Sequence, residues 1–304
     1  MKTNFDEHFS VHSKITKHIN VLLESDLELF IDPYKIANNL DKRIAKKLYL
    51  RSKAFLEVLN QTYIVTNDRI NGLKFLSHLK EANEYGFGYS KRKKGKGIGK
   101  TKAEIIFESL SNNKFAKQGI SITNEAHNVL LLVKGIGQDN MSDTLANVCR
   151  DIFAEFTNQE CLKYNIPVYP ATIEFYDAVT ESWLYKKVDL PIYKGKHIIL
   201  VPKFLTNGGR IYSNYYNWFI SSNYISKDIL EGKIKIGDPS KFINQLKNGD
   251  KKAIIKNINK QFRKPKQDLI DFVKHYQDSL IKFQLHIKEN FPDLTDDEIT
   301  ALLN

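Results

Sequence analysis

Asp139 and Asp143 stand four residues apart in the segment Gly137-Gln138-Asp139-Asn140-Met141-Ser142-Asp143. On a helix beginning near Asn140, both acids share one edge with Asn147, because four residues is just over one helical turn. Hard divalent cations such as Mg²⁺ take one or two carboxylates and fill the rest of their shell with water and phosphate oxygens. The chemistry this edge suits is metal-assisted phosphodiester cleavage. Helix capping is the competing account, with Ser142 or Asp143 as N-cap and an acid near the helix start complementing the dipole. Capping accounts for one carboxylate, not both.

Other groups could complete such a site. Lys203 follows the apolar run His197-Ile198-Ile199-Leu200-Val201 and Pro202. A lysine at the end of a buried strand is positioned to offset charge developing on phosphate. Glu174, between Ile173 and Phe175, is either a third acidic ligand or the wet face of a strand. Glu104 opens a helix, and Thr101-Lys102-Ala103-Glu104 also reads as a capping box. Lys91, Arg92, Lys93, Lys94, Lys96, Lys100 and Lys102 lie in or just after a glycine-rich stretch with no acid among them. Such a loop suits contact with nucleic-acid phosphates. Gly99-Lys100-Thr101 copies the end of a phosphate-binding loop, but Lys94 stands where its first glycine belongs. Basic residues also replace the strand that should precede it, which argues against nucleotide hydrolysis of that kind.

The elements that must hold these groups follow from the patterning. Asn128 to Val133 reads as a buried strand, and a long amphipathic helix through Leu145, Val148, Cys149, Ile152, Phe153 and Phe156 follows it. Residues 168–203 read as β-rich. Leu40, Ile44, Leu48, Phe55 and Leu59 recur at helical spacing upstream, and Leu269 through Ile287 form a helical stripe downstream. Asp32-Pro33 reads as a helix N-cap with proline at the first helical position. The run Tyr212 to Phe219 reads as a core stripe more readily than as a base-stacking surface. The expected fold is α/β: a mixed central sheet over about residues 101–203, flanked by helical segments. The expected division is 1–84, 85–210 and 211–304, with the alternative that all three form one domain.

The order of a helix acid, an Asp at a strand end and a strand-end lysine resembles the PD-(D/E)XK nucleases. The resemblance covers about residues 101–203. It implies that Asp139 or Asp143 binds Mg²⁺ and that Lys203 orients the attacking water. Val201 occupies the position where that family carries an acid, so Glu174 would have to supply it from another strand. The chain also resembles accessory proteins of bacterial anti-phage systems in its general character, which implies a partner in a multi-subunit assembly.

Composition bounds these readings. The 304 residues are 42% hydrophobic and 12% aromatic, ample for a core. The formal net charge of +11 favours polyanionic partners, DNA or RNA, without choosing between them. Only Cys149 and Cys161 are present, twelve residues apart in helical sequence. They offer neither a disulfide framework nor a four-ligand zinc spacing, and a cytoplasmic location is expected. No apolar run is long enough to span a bilayer, so no membrane association is expected. The expectation is a Mg²⁺-dependent nuclease, with Asp139, Asp143 and Glu174 as metal ligands and Asp143, Lys203 and Glu104 as catalytic groups. The rival is a non-catalytic adaptor that binds nucleic acid or protein, its carboxylates serving only as caps.

Overall fold

The computed structural model describes residues 3–13, 15–89 and 101–303. Lys91, Arg92, Lys93, Lys94, Lys96 and Lys100 lie outside the described residues.

The first long helix, α1 (Arg43–Val58), buries Ala45, Leu48, Ser52, Phe55 and Leu56, the three- and four-residue spacing that makes one face apolar. Residues 1–84 are less helical than their composition suggests. Before α1 the described chain is mostly irregular, and its one named strand, Phe30–Ile31, pairs antiparallel with Thr206–Asn207. Asp32 caps the short helix after it as expected, accepting from the Tyr34 amide at 2.9 Å. Its other oxygen accepts from the Tyr212 hydroxyl at 2.5 Å and the Asn207 amide at 2.9 Å. Asp32 is thus a buried, fully occupied cap.

Helices α2 (Arg69–Leu76) and α3 (Lys102–Ser111) pack together. The run expected to be a strand is instead the helix α4 (Ala126–Leu132), and all seven of its residues are buried. A helix surrounded by core carries apolar residues on every side. Its 3.6-residue period is then invisible, and the run looks like a buried strand. Gly135 follows at φ +94°, with the Ser109 hydroxyl only 2.2 Å from where a Cβ would stand. Glycine is required there both by conformation and by space.

The long amphipathic helix is two helices, α5 (Gln138–Val148) and α6 (Arg150–Lys163), broken at Cys149. No central mixed sheet is present among the described residues. Among the described residues there are four two-stranded antiparallel sheets, the longest being the hairpin β1 (Tyr169–Asp177) and β2 (Ser182–Leu190). Residues Ile198 to Val201 are extended and buried but join no sheet. Their backbone bonds go elsewhere: the Ile199 amide to the Glu84 carbonyl at 2.9 Å, and the Leu200 amide to the Thr157 hydroxyl at 2.8 Å. Loops and a helix side chain satisfy what a neighbouring strand was expected to satisfy.

Beyond residue 210 the chain is mainly helical, with a small hairpin at Ile243–Gln245 and Lys251–Ala253. Helix α7 (Tyr212–Ile220) buries Tyr212, Tyr216 and Phe219 as a core stripe. Helices α8 (Leu269–His275) and α9 (Ser279–Asn290) complete the same core. Leu48 of α1, Val129 of α4 and Phe283 of α9 belong to one contiguous cluster, so the three sequence segments share a core. A smaller cluster around Phe5, Ile19, Cys161 and Ile299 joins the two chain ends to α6. Cys149 and Cys161 are both free and buried. Among the described residues, no helix is long and apolar enough to cross a membrane.

Candidate functional site

Helix α5 begins at the N-cap Gly137, so neither Ser142 nor Asp143 caps it. The Ser142 hydroxyl instead accepts from the Ile31 amide at 2.9 Å, which ties α5 to the first strand. Asp139 lies in the first turn and Asp143 one turn on, the shared edge expected from their spacing. Asn147 continues that edge. Its amide donates to the carbonyls of Asp143 and Lys80, both at 2.8 Å. The Arg150 guanidinium holds the Asn147 oxygen at 2.7 Å. Asn147 therefore pins residue 80, and with it the segment that carries Glu81, to α5.

Asp139 and Asp143 open onto a cavity of about 200 Å³, which Asp26, Glu81, Asn83 and Tyr89 also line. A Cβ built on Gly88 would lie 3.7 Å from an Asp26 oxygen and 3.9 Å from an Asp139 oxygen, so two carboxylates from distant segments flank one point. The compensating charge comes from α3. The Lys102 ammonium donates to Asp143 and stands 3.5 Å from Glu81. Burial dominates the titration here. It pushes the Asp143 carboxyl up to about 6, Lys102 pulling it back and Asp139 and Glu81 raising it further. Burial likewise raises Asp139, with Lys102 opposing and Glu81 reinforcing. Crowded, half-desolvated carboxylates of this kind would gain from a second cation.

The donor set is hard oxygen throughout, the class Mg²⁺ prefers. Among the described residues, no three acid, histidine or cysteine side chains are already spaced around an ion. Asp139 and Asp143 are the pair on this edge that could hold a hard cation, with water completing the shell.

Glu104, Glu174 and Lys203 do not line this cavity. Glu104 completes the capping box of α3, accepting from the Thr101 amide at 2.7 Å, while Thr101 accepts from the Glu104 amide at 3.2 Å. Glu174 is buried rather than on a wet face, and points into a separate cavity of about 490 Å³. Burial pushes its carboxyl up, but hydrogen bonds from His78, at 2.7 Å, and Tyr185 outweigh it and leave Glu174 lowered. Asn83 lines both cavities, so the 80–84 segment forms a wall between them. Lys203 lies in a short 3₁₀ turn, and its ammonium reaches Asp296 at 2.5 Å, away from the Asp pair. Lys102, expected to contact phosphate with its loop neighbours, is instead nearly buried against Asp143. Sequence reasoning missed Asp26, Glu81 and Tyr89. Tyr89 lies within the glycine-rich stretch 85–100 and Glu81 just before it, a faint positional signal; Asp26 carried none.

A family model described as Domain of unknown function (DUF8370) matches residues 10–213, a span that holds every residue of the acidic cavity. No curated protein and no solved structure matches the chain.

Proposed function

The chain belongs to the DUF8370 family, and we propose that it is a Mg²⁺-dependent nuclease whose acidic cavity cleaves nucleic-acid phosphodiesters. One observation carries this reading: Asp139 and Asp143 meet Asp26 and Glu81 around a single cavity, where Lys102 pairs with both Asp143 and Glu81. When bound, the ion would lower the pKa of a coordinated water and stabilise the leaving oxygen.

The chain's own residues have three tasks. Asp139 and Asp143 hold the ion, and Asn147 and Arg150 keep the wall carrying Glu81 in register with them. Lys102, rather than Lys203, is the cation beside the acid pair, and it would offset charge on a substrate phosphate entering the cavity. The basic sequence from Lys91 to Lys100 directly precedes Thr101, the N-cap of α3, and suits contact with a phosphate backbone.

The test is cleavage of supercoiled plasmid, single-stranded DNA and single-stranded RNA by the purified chain, with Mg²⁺ or Mn²⁺ against EDTA. Metal-dependent products that vanish in Asp143→Ala support the assignment. Full activity in folded Asp143→Ala overturns it. Salt-sensitive binding with no turnover on any of the three substrates would favour the adaptor reading instead.

A further inference from the structure

A cavity of about 640 Å³ lies between the first turn of α1 and the face of α6, and the Pro202–Phe204 segment closes it. Its lining shares no residue with the acidic cavity. Five cations face it: Lys17, Lys42, Arg43, Lys47 and Lys203. Glu155 and Glu160 line it as well, and Asp296, outside the lining, pairs with Lys203, which leaves a surplus of two positive charges (five minus three). Both lining carboxylates are already committed. Glu155 pairs with Lys47 at 2.8 Å, and Glu160 accepts from the buried His18 at 2.7 Å. Among the described residues, Lys17, Lys42 and Arg43 have no carboxylate within ion-pair distance.

The floor of the cavity is apolar, built from Ile44, Ile152, Phe156 and Phe204. The Lys42 ammonium sits 3.8 Å from the centre of the Phe204 ring, so a cation and an aromatic face are presented together. Helix α1 starts at Lys42 without a side-chain cap, and its uncapped first turn adds a partial positive charge to the same wall. A ligand that satisfies this lining must carry concentrated negative charge at one end and a flat apolar body at the other. The volume is in the range of small-molecule sites.

We propose that this cavity binds a nucleotide through its phosphate, with Lys17, Lys42 and Arg43 taking the phosphate and Phe204 and Phe156 taking the base. Arginine and lysine neutralise phosphate, and aromatic rings stack on any base without reading sequence. The phosphate can come from a free nucleoside phosphate or from the 5′ end of a strand, which present the same chemistry to the site.

Calorimetric titration of the intact chain tests the proposal, with AMP, ATP, inorganic phosphate, and thymidine dinucleotide with and without a 5′-phosphate. Phosphate-bearing nucleotides should bind at micromolar concentrations. Inorganic phosphate and the 5′-hydroxyl dinucleotide should bind at least tenfold more weakly. The double variant Lys42→Glu/Arg43→Glu should lose at least tenfold in affinity with its melting temperature unchanged, as should Lys17→Glu, whose side chain is exposed. Phe204→Leu should lose a few-fold. Asp139→Asn/Asp143→Asn should bind like the wild type. Tighter binding of ATP or AMP than of the phosphorylated dinucleotide identifies the free nucleotide as the source, and the reverse order identifies a strand end. The proposal is overturned if no nucleotide binds below millimolar concentration, if the charge-reversal variants bind normally, or if the Asp139/Asp143 variant abolishes binding.

Discussion

The acidic cavity at the start of α5 and the cationic cavity at the start of α1 treat charge in opposite ways. In the first, four carboxylates from distant segments line one small space, Lys102 pairs with two of them, and burial lifts Asp139 and Asp143 above the usual carboxylate range. In the second, cations outnumber acids, and each acid already has a partner. Excess negative charge held in a partly desolvated space favours a cation, and excess positive charge over an apolar floor favours an amphipathic anion. A chain with a net charge of +11 has thus sorted its charges by place, and the total alone reports neither site.

The sharpest way to break the contrast is to remove the acid at its centre. Asp143→Ala should lower metal-dependent cleavage by about a thousandfold, the several kcal/mol of charge stabilisation a bound ion supplies. It should leave nucleotide affinity at the cationic cavity unchanged, and parallel cleavage and titration assays on one preparation check both.

The next effect falls on the wall of the cationic cavity. His18 is fully buried between Asp6, at 2.9 Å, and Glu160, at 2.7 Å. Burial pulls the imidazole down, yet the bonds to the two carboxylates outweigh it and leave His18 raised above 6.5. Glu160 is pushed up by burial but held lowered by His18. His18→Leu strands two carboxylates and should cost about 3–5 kcal/mol in urea denaturation. The sign of the pH dependence follows from the shifts. The His18 contribution is complete below 6.5 and is lost as pH rises through its raised folded value. The Glu160 contribution is complete above 4.5 and is lost as pH falls through its lowered one. Stability from this pair should therefore be greatest between pH 4.5 and 6.5 and fall on either side, and a profile that falls on neither side would remove the buried ion pair from the account.

A smaller effect separates burial from pairing in the acidic cavity. Cleavage should rise with pH through about 6, because Asp143 must lose its proton to hold a cation. Lys102 lowers the Asp143 carboxyl, so Lys102→Met should move that rise to higher pH as well as slowing turnover. In stability the same raised carboxyl acts the other way. The folded state holds its proton more tightly than the unfolded chain, so stability falls as pH climbs from about 4 to 6. The smallest change concerns Glu104. Glu104→Ala removes half of a capping box and should cost about 1 kcal/mol in thermal unfolding with cleavage within twofold. A loss of cleavage much greater than twofold would return Glu104 to the site.

Local features were legible in the sequence because their causes are local. The Asp32 cap, the Thr101–Glu104 capping box, the apolar face of α1 and the buried stripe Tyr212, Tyr216 and Phe219 each rest on contacts within one or two turns. The shared edge of Asp139 and Asp143 belongs to the same class. Two misreadings have one cause. In α4 and in Ile198 to Val201, complete burial erases the contrast between wet and dry faces, and that contrast is the only thing from which periodicity can be read. The first run became a helix and the second an extended segment without a sheet.

What the amino-acid order settled by itself is the inventory: which stretches are amphipathic, where helices are capped, and that Asp139 and Asp143 lie on one edge. The tertiary structure decided the company each charge keeps. Lys102 meets Asp143 and Glu81, Lys203 meets Asp296, and Glu174 meets His78, none of them its sequence neighbour. Helical spacing fixes geometry over a few residues. Pairing between distant charges is fixed only when the core closes, because the cost of leaving a desolvated charge alone then selects a partner from whatever the packing has brought near.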